Sequence, residues 1–254
     1  MDWLLIIIAG FSAGVLNAIA GGGSFITLPA LSFIGLNPIM ANATGTAALL
    51  PGYIASAWRF RKDIKPLPNL PFVHLFIFAI LGGACGALLL LVSEVAIFST
   101  IIPWLILFAS LLFLCKNKLS SYFRSLAQSN PSNTKQNSRK RMLIASIVIF
   151  SICLYGGYFN GGIGVILLAA LSLLGLQELT EMNALKNLLS AVLTIIAVLI
   201  YIIGDQIEWF PMLIMSISSS IGGYLGASLA YKINNKWIVS IILSSGFISF
   251  IYFL

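Results

Sequence analysis

The sequence predicts an all-α integral membrane protein made of two inverted repeats. Each repeat is a glycine-broken helical hairpin plus three transmembrane helices, about eight spans in all. Three observations support this prediction: the composition, a duplicated glycine pattern, and the placement of basic residues between apolar segments. Hydrophobic residues make up 59% of the 254 residues and charged residues only 8%, whereas about a quarter of a soluble globular protein is charged. The surface of such a chain is expected to face lipid.

The two halves of the chain carry the same glycine-centred pattern about 140 residues apart. Gly21, Gly22 and Gly23 precede an Ala-Leu-Ser-Phe-Ile-Gly-Leu segment, and Gly161 and Gly162 precede the similar Ala-Leu-Ser-Leu-Leu-Gly-Leu. A second pattern of closely spaced glycines follows in each half, in residues 82–87 and 222–227. A duplicated apolar unit with a glycine break in each copy is typical of membrane transporters.

Six apolar segments are long enough to cross a hydrocarbon core about 30 Å thick, which takes about 20 helical residues. They are residues 37–58, 72–92, 95–115, 178–203, 211–231 and 237–254. Two further segments, residues 3–36 and 142–176, run to about 35 residues, and a continuous helix of that length would measure about 50 Å. Since each contains a glycine cluster, each is predicted to be a hairpin or broken helix that ends in a half-helix, residues 24–36 and 164–176.

Basic residues in the loops predict how the halves are oriented. The loop after the span 37–58 contains four basic residues, whereas the corresponding loop of the second half, residues 204–208, contains none. The next pair of loops shows the opposite pattern, because residues 93–94 contain no basic residue and residues 231–236 contain two lysines. Basic loops stay in the cytoplasm, so the halves are predicted to be inverted, with both termini outside. An alternative stays open in which each broken segment is one bent span and both termini are cytoplasmic.

Residues 116–141 are predicted to be a basic cytoplasmic linker between a first membrane repeat, residues 1–115, and a second, residues 142–254. The linker contains seven Lys or Arg residues and no acidic residue, and its centre, residues 128–138, is rich in Ser, Asn and Gln. Because the net charge of +7 comes from such loops, we expect the lipid bilayer and a small anion as partners, and no nucleic acid. A homodimer is left open.

The glycine breaks are the predicted substrate site, because an inverted repeat binds its substrate near the midplane, where interrupted helices meet. The start of a half-helix has free backbone N–H groups and a partial positive charge, which suit an anion. Polar residues collect around both breaks. The candidate substrate-binding residues are Asn17, Gly21, Gly22, Gly23, Ser24, Asn42, Thr44, Thr46, Asn160, Gly161, Gly162, Asn183, Lys186 and Asn187.

Lys186 is the candidate on which the anion hypothesis depends most. If its helix begins near Glu178, the lysine lies about 12 Å along it, close to the middle of the bilayer. An ammonium at that depth is costly unless it faces water or a counter-charge, so we interpret it as functional. Two alternatives stay open, snorkelling toward the cytoplasm and pairing with Glu178 or Glu181. For Asn42 and Asn183 the alternative is a hydrogen bond between helices.

Other classes of function need residues that this sequence places elsewhere. All seven acidic residues lie in loops or at segment ends, so no carboxylate relay is expected across the membrane. The single histidine, His74, lies near the start of its span, and no zinc-ligand spacing occurs. We therefore expect no enzyme, metal site or cofactor. Besides an anion transporter, two alternatives stay open, an accessory or structural membrane protein and a permease for a metal cation.

Residues 17–31 (NAIAGGGSFITLPAL), followed by Asn42-Ala43-Thr44, resemble the sulfite exporter TauE/SafE family of bacterial inner-membrane proteins. So do residues 155–164 (YGGYFNGGIG) with residues 182–187 (MNALKN), so the resemblance extends over both halves. It implies a multi-pass permease of about eight spans for sulfite, sulfonates or related sulfur oxyanions. The second half has Gly-Gly-Ile-Gly where many members show a fuller glycine triplet, a departure that concerns the substrate more than the fold.

Overall fold

The computed structural model describes residues 2–19, 21–67, 70–128, 135–229 and 235–254. Within these ranges the chain forms ten α-helices and one short 3-10 helix, Arg61–Asp63, which agrees with the predicted all-α class. The α-helices are α1 Asp2–Ile19, α2 Ser24–Phe33, α3 Pro38–Arg59, α4 Phe72–Leu91, α5 Val95–Gln128, α6 Lys135–Tyr158, α7 Ile163–Leu173, α8 Leu179–Ile203, α9 Trp209–Leu229 and α10 Asn235–Phe253.

Both long apolar segments are broken at their glycines, as the sequence predicts. The break between α1 and α2 contains Gly21, with φ of +86°, and the break between α6 and α7 contains Gly162, with φ of +72°. These are left-handed backbone angles, which glycine adopts without the steric cost that a Cβ would add. The two half-helices, α2 and α7, therefore start at positions fixed by a glycine.

The two half-helices also end in the same way. Gly35 and Gly175 have φ of +97° and +112°, and each follows the last turn of its half-helix. The N–H of the next residue, Leu36 or Leu176, donates to the carbonyl five residues earlier, at 3.3 and 3.1 Å. This is the Schellman arrangement, which satisfies carbonyl groups at a helix end and stops the helix.

The protein is a multi-pass membrane protein. Among the described residues, four helical stretches are long and apolar enough to cross a membrane. Shorter apolar helices accompany them, including both half-helices. Helix α3 has 22 residues but is not among the four, because its asparagine, threonine, glycine and proline residues make it less apolar. The four stretches are Phe72–Leu91, Val95–Leu112, Leu179–Ile203 and Trp209–Leu229.

Helices of the two halves pack against each other crosswise. Helix α1 lies against α9, and its counterpart α6 lies against α4. In the same way α3 lies against α9 and α8 against α4, while α3 also contacts α8 and α5 contacts α10, each its own counterpart. Each main contact of one half therefore has an equivalent contact made by the corresponding helices of the other half.

The second glycine pattern of each half makes this crosswise packing possible. A Cβ on Gly82 of α4 would lie 2.7 Å from the carbonyl oxygen of Phe150 in α6, too close for two non-bonded atoms. A Cβ on Gly222 of α9 would overlap the carbonyl oxygen of Phe11 in α1. The glycine four residues further along each helix meets the same partner helix. Small residues at these crossings let the backbones approach closely, as they commonly do between helices in membranes.

The stretch between the halves is more helical than predicted. Helix α5 continues to Gln128 and α6 begins at Lys135, so residues 135–138, expected to be flexible linker, start a helix instead. Lys, Arg and Gln are good helix formers, and they extend helices whose apolar turns are already held by packing. Residues 129–134 lie outside the described residues. The division into repeats 1–115 and 142–254 stays a prediction.

Replacing Gly86 with leucine should lower the stability of the protein, since this helix crossing has no room for a side chain. A Cβ on Gly86 would overlap the carbonyl oxygen of Leu154 in α6. We expect a loss of about 1–3 kcal/mol in the free energy of unfolding, read as a lower melting temperature in detergent. Cys85→Leu is the matched control, because Cys85 is exposed on the same helix. Equal melting temperatures for the two variants would contradict the packing described here.

Candidate functional site

The two glycine breaks lie directly against each other. A Cβ placed on Gly21 would overlap the Cα of Gly164, and a Cβ placed on Gly164 would overlap the Cα of Gly21. Both glycines are buried. Because neither position has room for a side chain, the starts of α2 and α7 approach as closely as two backbones can. The two breaks therefore form one region of the structure.

Asn17 organises the first break. Its Oδ1 accepts a hydrogen bond from the N–H of Gly23 at 3.3 Å, which satisfies one of the free donors at the start of α2. The Nδ2 of Asn17 and the Oγ of Ser24 are buried and have no partner among the described residues. Buried polar groups are normally paired. Because these two are not paired within the described part of the protein, both are available to water or to a polar ligand.

The second break offers unpaired backbone donors. Gly161, Gly162 and Gly164 are buried, and the described part of the chain provides no hydrogen-bond partner for their N–H groups. They lie at the start of α7, where the helix dipole is positive. The hydroxyl of Tyr155 donates to the carbonyl oxygen of Gly161 at 2.7 Å, which holds this loop in place.

Tyr53, in α3, contacts the second break. Its hydroxyl donates to Oδ1 of Asn160 at 3.3 Å. Asn160 has φ of +58°, one of the left-handed positions that asparagine tolerates better than most residues, and its Nδ2 is buried without a partner. Tyr53 is not among the candidates predicted from the sequence, because a tyrosine in an apolar span is more often a packing residue.

Lys186 is completely buried at the first break. Its Nζ donates to the carbonyl oxygens of Asn17 and Ala18 and to Oδ1 of Asn183, each at 3.0 Å. Because Nζ is buried on these three oxygens, Lys186 neither snorkels nor pairs with Glu178 or Glu181, and Glu181 pairs instead with Lys65 in the loop that precedes α4. The hydrogen bond and the charge of Glu181 raise the pKa of Lys65.

The hydrogen bonds of Lys186 determine what its charge can do. Three acceptors match the three N–H groups of an ammonium, and two of the acceptors are carbonyls at the end of α1, where the helix dipole is negative. All three partners are uncharged, and no carboxylate of the described residues pairs with the ammonium. A buried charge without a counter-ion is costly, and a nearby anion would lower that cost. Since its N–H groups are occupied, Lys186 would act on an anion through its field.

The α3 candidates have separate positions. The Nδ2 of Asn42 donates to the carbonyl oxygen of Tyr158 at 3.0 Å and so closes the end of α6. The Oγ1 of Thr44 accepts from the N–H of Glu208 at 3.0 Å, just before α9. The first bond joins two helices, which is the alternative considered for Asn42, and the second joins α3 to the loop before α9. The Oγ1 of Thr46 is buried without a partner in the described ranges.

A polar stripe on α8 continues from the site. Asn183, Asn187, Ser190 and Thr194 follow the i, i+4, i+7, i+11 spacing of one helix face, and the last three are completely buried. Asn187 donates weakly to Ala18, at 3.4 Å, but its Oδ1 is unpaired among the described residues, as are both hydroxyls. The spacing is visible in the sequence, but Ser190 and Thr194 are not among the candidates predicted from it.

The structure brings most of the predicted residues to the joined breaks. Asn42 instead bonds the last residue of α6, at the edge of the second break, Thr44 binds the backbone before α9, and Thr46 has no partner among the described residues. Among the described residues, no group of three or more His, Cys, Asp or Glu side chains could hold a metal ion. The candidates at the joined breaks are Asn17, Gly21, Gly22, Gly23, Ser24, Asn160, Gly161, Gly162, Asn183, Lys186 and Asn187.

Comparison with known proteins agrees with the resemblance found in the sequence. Residues 6–253 match the family model described as sulfite exporter TauE/SafE. A probable membrane transporter protein of Haemophilus influenzae is 32% identical over 222 residues, 87% of this chain and 82% of the relative. The probable membrane transporter protein YfcA of Escherichia coli K12 is 26% identical over 227 residues, 89% of this chain and 80% of the relative. No solved structure matches.

Replacing Gly21 with alanine should destabilise the protein more than replacing Gly35. Both glycines have positive φ, which costs an alanine about 1–2 kcal/mol. A Cβ on Gly35 has nothing within 4 Å, whereas one on Gly21 would overlap Gly164. We expect the free energy of unfolding to fall by about 1–3 kcal/mol more in Gly21→Ala. Equal losses by thermal or chemical unfolding would show that the two breaks are not in contact.

Proposed function

Because the chain belongs to the sulfite exporter TauE/SafE family, we propose that it transports a small anion, such as sulfite, an organosulfonate or a related sulfur oxyanion. The relatives described above are probable membrane transporters. The observation that carries the anion assignment is the buried Lys186 ammonium, which has no acidic partner among the described residues and lies where the two broken helices meet. A metal cation at this position would be repelled.

The joined breaks supply the donors that an oxyanion needs. The backbone N–H groups of Gly161, Gly162 and Gly164 and the side-chain amides of Asn17 and Asn160 have unused hydrogens among the described residues. An oxyanion accepts several hydrogen bonds at once, and its charge is favoured by the start of a half-helix. In this proposal the backbone and the amides touch the anion, and Lys186 supplies the compensating charge.

Alternating access between inverted halves is the transport mechanism that fits this fold best. The interchangeable packing of α1 on α9 and α6 on α4 supports two related bodies that can exchange roles. The glycine-lined crossings carry few interlocking side chains, which favours small sliding motions between packed helices. The proposal includes about eight spans, a location in the bacterial inner membrane and a cytoplasmic linker.

Binding of the anion can be tested on purified protein in detergent. A ligand that binds only the folded state raises the melting temperature, so sulfite, sulfate, thiosulfate or taurine should stabilise the wild type. Lys186→Met should lose this response and should also lose transport of labelled sulfite in vesicles at matched protein level. Lys186→Arg keeps the charge on a wider planar group, so it should retain part of the anion response and part of the transport.

Lys62→Met is the matched control, because Lys62 is an exposed lysine and its removal should leave the anion response unchanged. A wild type that responds to none of the four anions would favour an accessory role. Wild-type transport in Lys186→Met would remove Lys186 from the mechanism and leave the backbone and the asparagines as the anion ligands.

The inverted topology can be tested separately by chemical labelling. Single cysteines placed at Ser129 and Gln206, in a background without the three native cysteines, should react from opposite sides of the membrane. Ser129 lies outside the described residues, and Gln206 lies in the loop between α8 and α9. Reaction of both cysteines from the same side would rule out inverted halves.

A further inference from the structure

The oxygen atoms around the Nζ of Lys186 form a site of the kind that holds a small cation. Two are backbone carbonyls of Asn17 and Ala18, at the end of α1, and the third is Oδ1 of Asn183. We call these three atoms the oxygen cage. Broken helices of secondary transporters offer such terminal carbonyls to a coupling cation, because the helix dipole makes them electronegative. Here the cage is occupied by the protein's own ammonium.

The matching position in the first half has no cation. Asn42 and Asn183 are 141 residues apart, and the same spacing places Gly45 where the second half has Lys186. A Cβ on Gly45 would lie 2.8 Å from Oγ1 of Thr27, so this position is closed to a long side chain. The duplicated unit therefore carries its buried cation in one copy only.

The end of α6, which corresponds to the end of α1, is closed by neutral donors. The carbonyl oxygen of Tyr158 accepts from Nδ2 of Asn42 at 3.0 Å, and that of Gly157 accepts from the hydroxyl of Tyr201. An uncharged amide and a hydroxyl are thus sufficient to satisfy these carbonyls. The charge on Lys186 is therefore more than a hydrogen-bonding requirement of a broken helix.

We propose that the oxygen cage is a monovalent-cation site, which Lys186 fills with its tethered ammonium in place of a free ion. The protein then needs no sodium or other dissociable cation at this break. This consequence for transport rests on the proposed function, whereas cation binding by the cage does not.

The shape of the site allows a direct test by truncation. A Cβ on Gly164 would lie 3.1 Å from Cδ of Lys186, so the lysine stem runs along the glycine backbone. Lys186→Ala removes three carbons and the ammonium, which leaves a space that ethylammonium or n-propylammonium can fill. The added cation would restore the three hydrogen bonds to the oxygen cage.

The experiment measures the melting temperature of purified Lys186→Ala in chloride salts of sodium, methylammonium, ethylammonium, n-propylammonium and tetramethylammonium at equal ionic strength. We expect a lower melting temperature than in the wild type. Ethylammonium or n-propylammonium, or sodium as a bare ion, should raise it by about 3 °C or more. Tetramethylammonium has no N–H group and should have no effect. No response to any of the cations, or the same response to all, would overturn the proposal.

Two further variants show whether the cation binds at the cage. Lys186→Met fills the space with an apolar chain and should show no cation response. Adding Asn183→Ala to Lys186→Ala removes one cage oxygen and should weaken the response. A response that is unchanged in either variant would place the cation elsewhere and overturn the proposal.

A measurement on the wild type keeps the test decisive if Lys186→Ala does not fold. Its melting temperature, and any shift caused by an anion, should be equal in sodium and in choline buffers, because the tethered ammonium already occupies the cage. A sodium requirement for either would overturn the proposal. Since these readouts are melting temperatures without transport, the cation site and the transport function can fail independently.

Discussion

The site depends on one contact, the meeting of the two broken backbones at Gly21 and Gly164. Two helices that stop inside the molecule leave unpaired polar groups, and such groups are tolerated at membrane depth only where protein or water satisfies them. By placing one break against the other, the fold collects these groups in a single place. The crosswise packing of α1 on α9 and α6 on α4 holds the two breaks in register.

The site separates two tasks that are often assigned to one residue. Backbone and amide groups retain unused hydrogens, whereas the Lys186 ammonium has its three hydrogens committed to neutral acceptors. Substitutions can therefore alter the hydrogen-bond donors without altering the buried charge, and the reverse. If the protein transports an anion as proposed, the loop at Asn160 would recognise the shape of the substrate, and Lys186 of α8 would supply the preference for negative charge.

The sequence predicted the helix breaks closely, because glycine clusters in apolar segments have few other uses. It could not identify the partners of Lys186. Asn17 and Ala18 lie nearly 170 residues away and contribute backbone atoms, which leave no side-chain signal in a sequence. It also placed Thr44 in the site, although its hydroxyl binds the backbone before α9, since the direction of a threonine on a helix depends on packing. The helical start of α6 was missed because its polar composition is shared by loops.

The difference between the matching positions Gly45 and Lys186 affects the relative energies of the two transport states. If inverted halves exchange roles, an exact duplicate would have inward-open and outward-open states of equal energy, apart from the asymmetry of the membrane itself. A charge present in one copy removes that degeneracy, because the two states surround the ammonium with different neighbours. One side chain in 254 would then set which way the empty protein rests. The ratio of inward-open to outward-open protein without substrate would then depend on Lys186, a position at which the two halves differ.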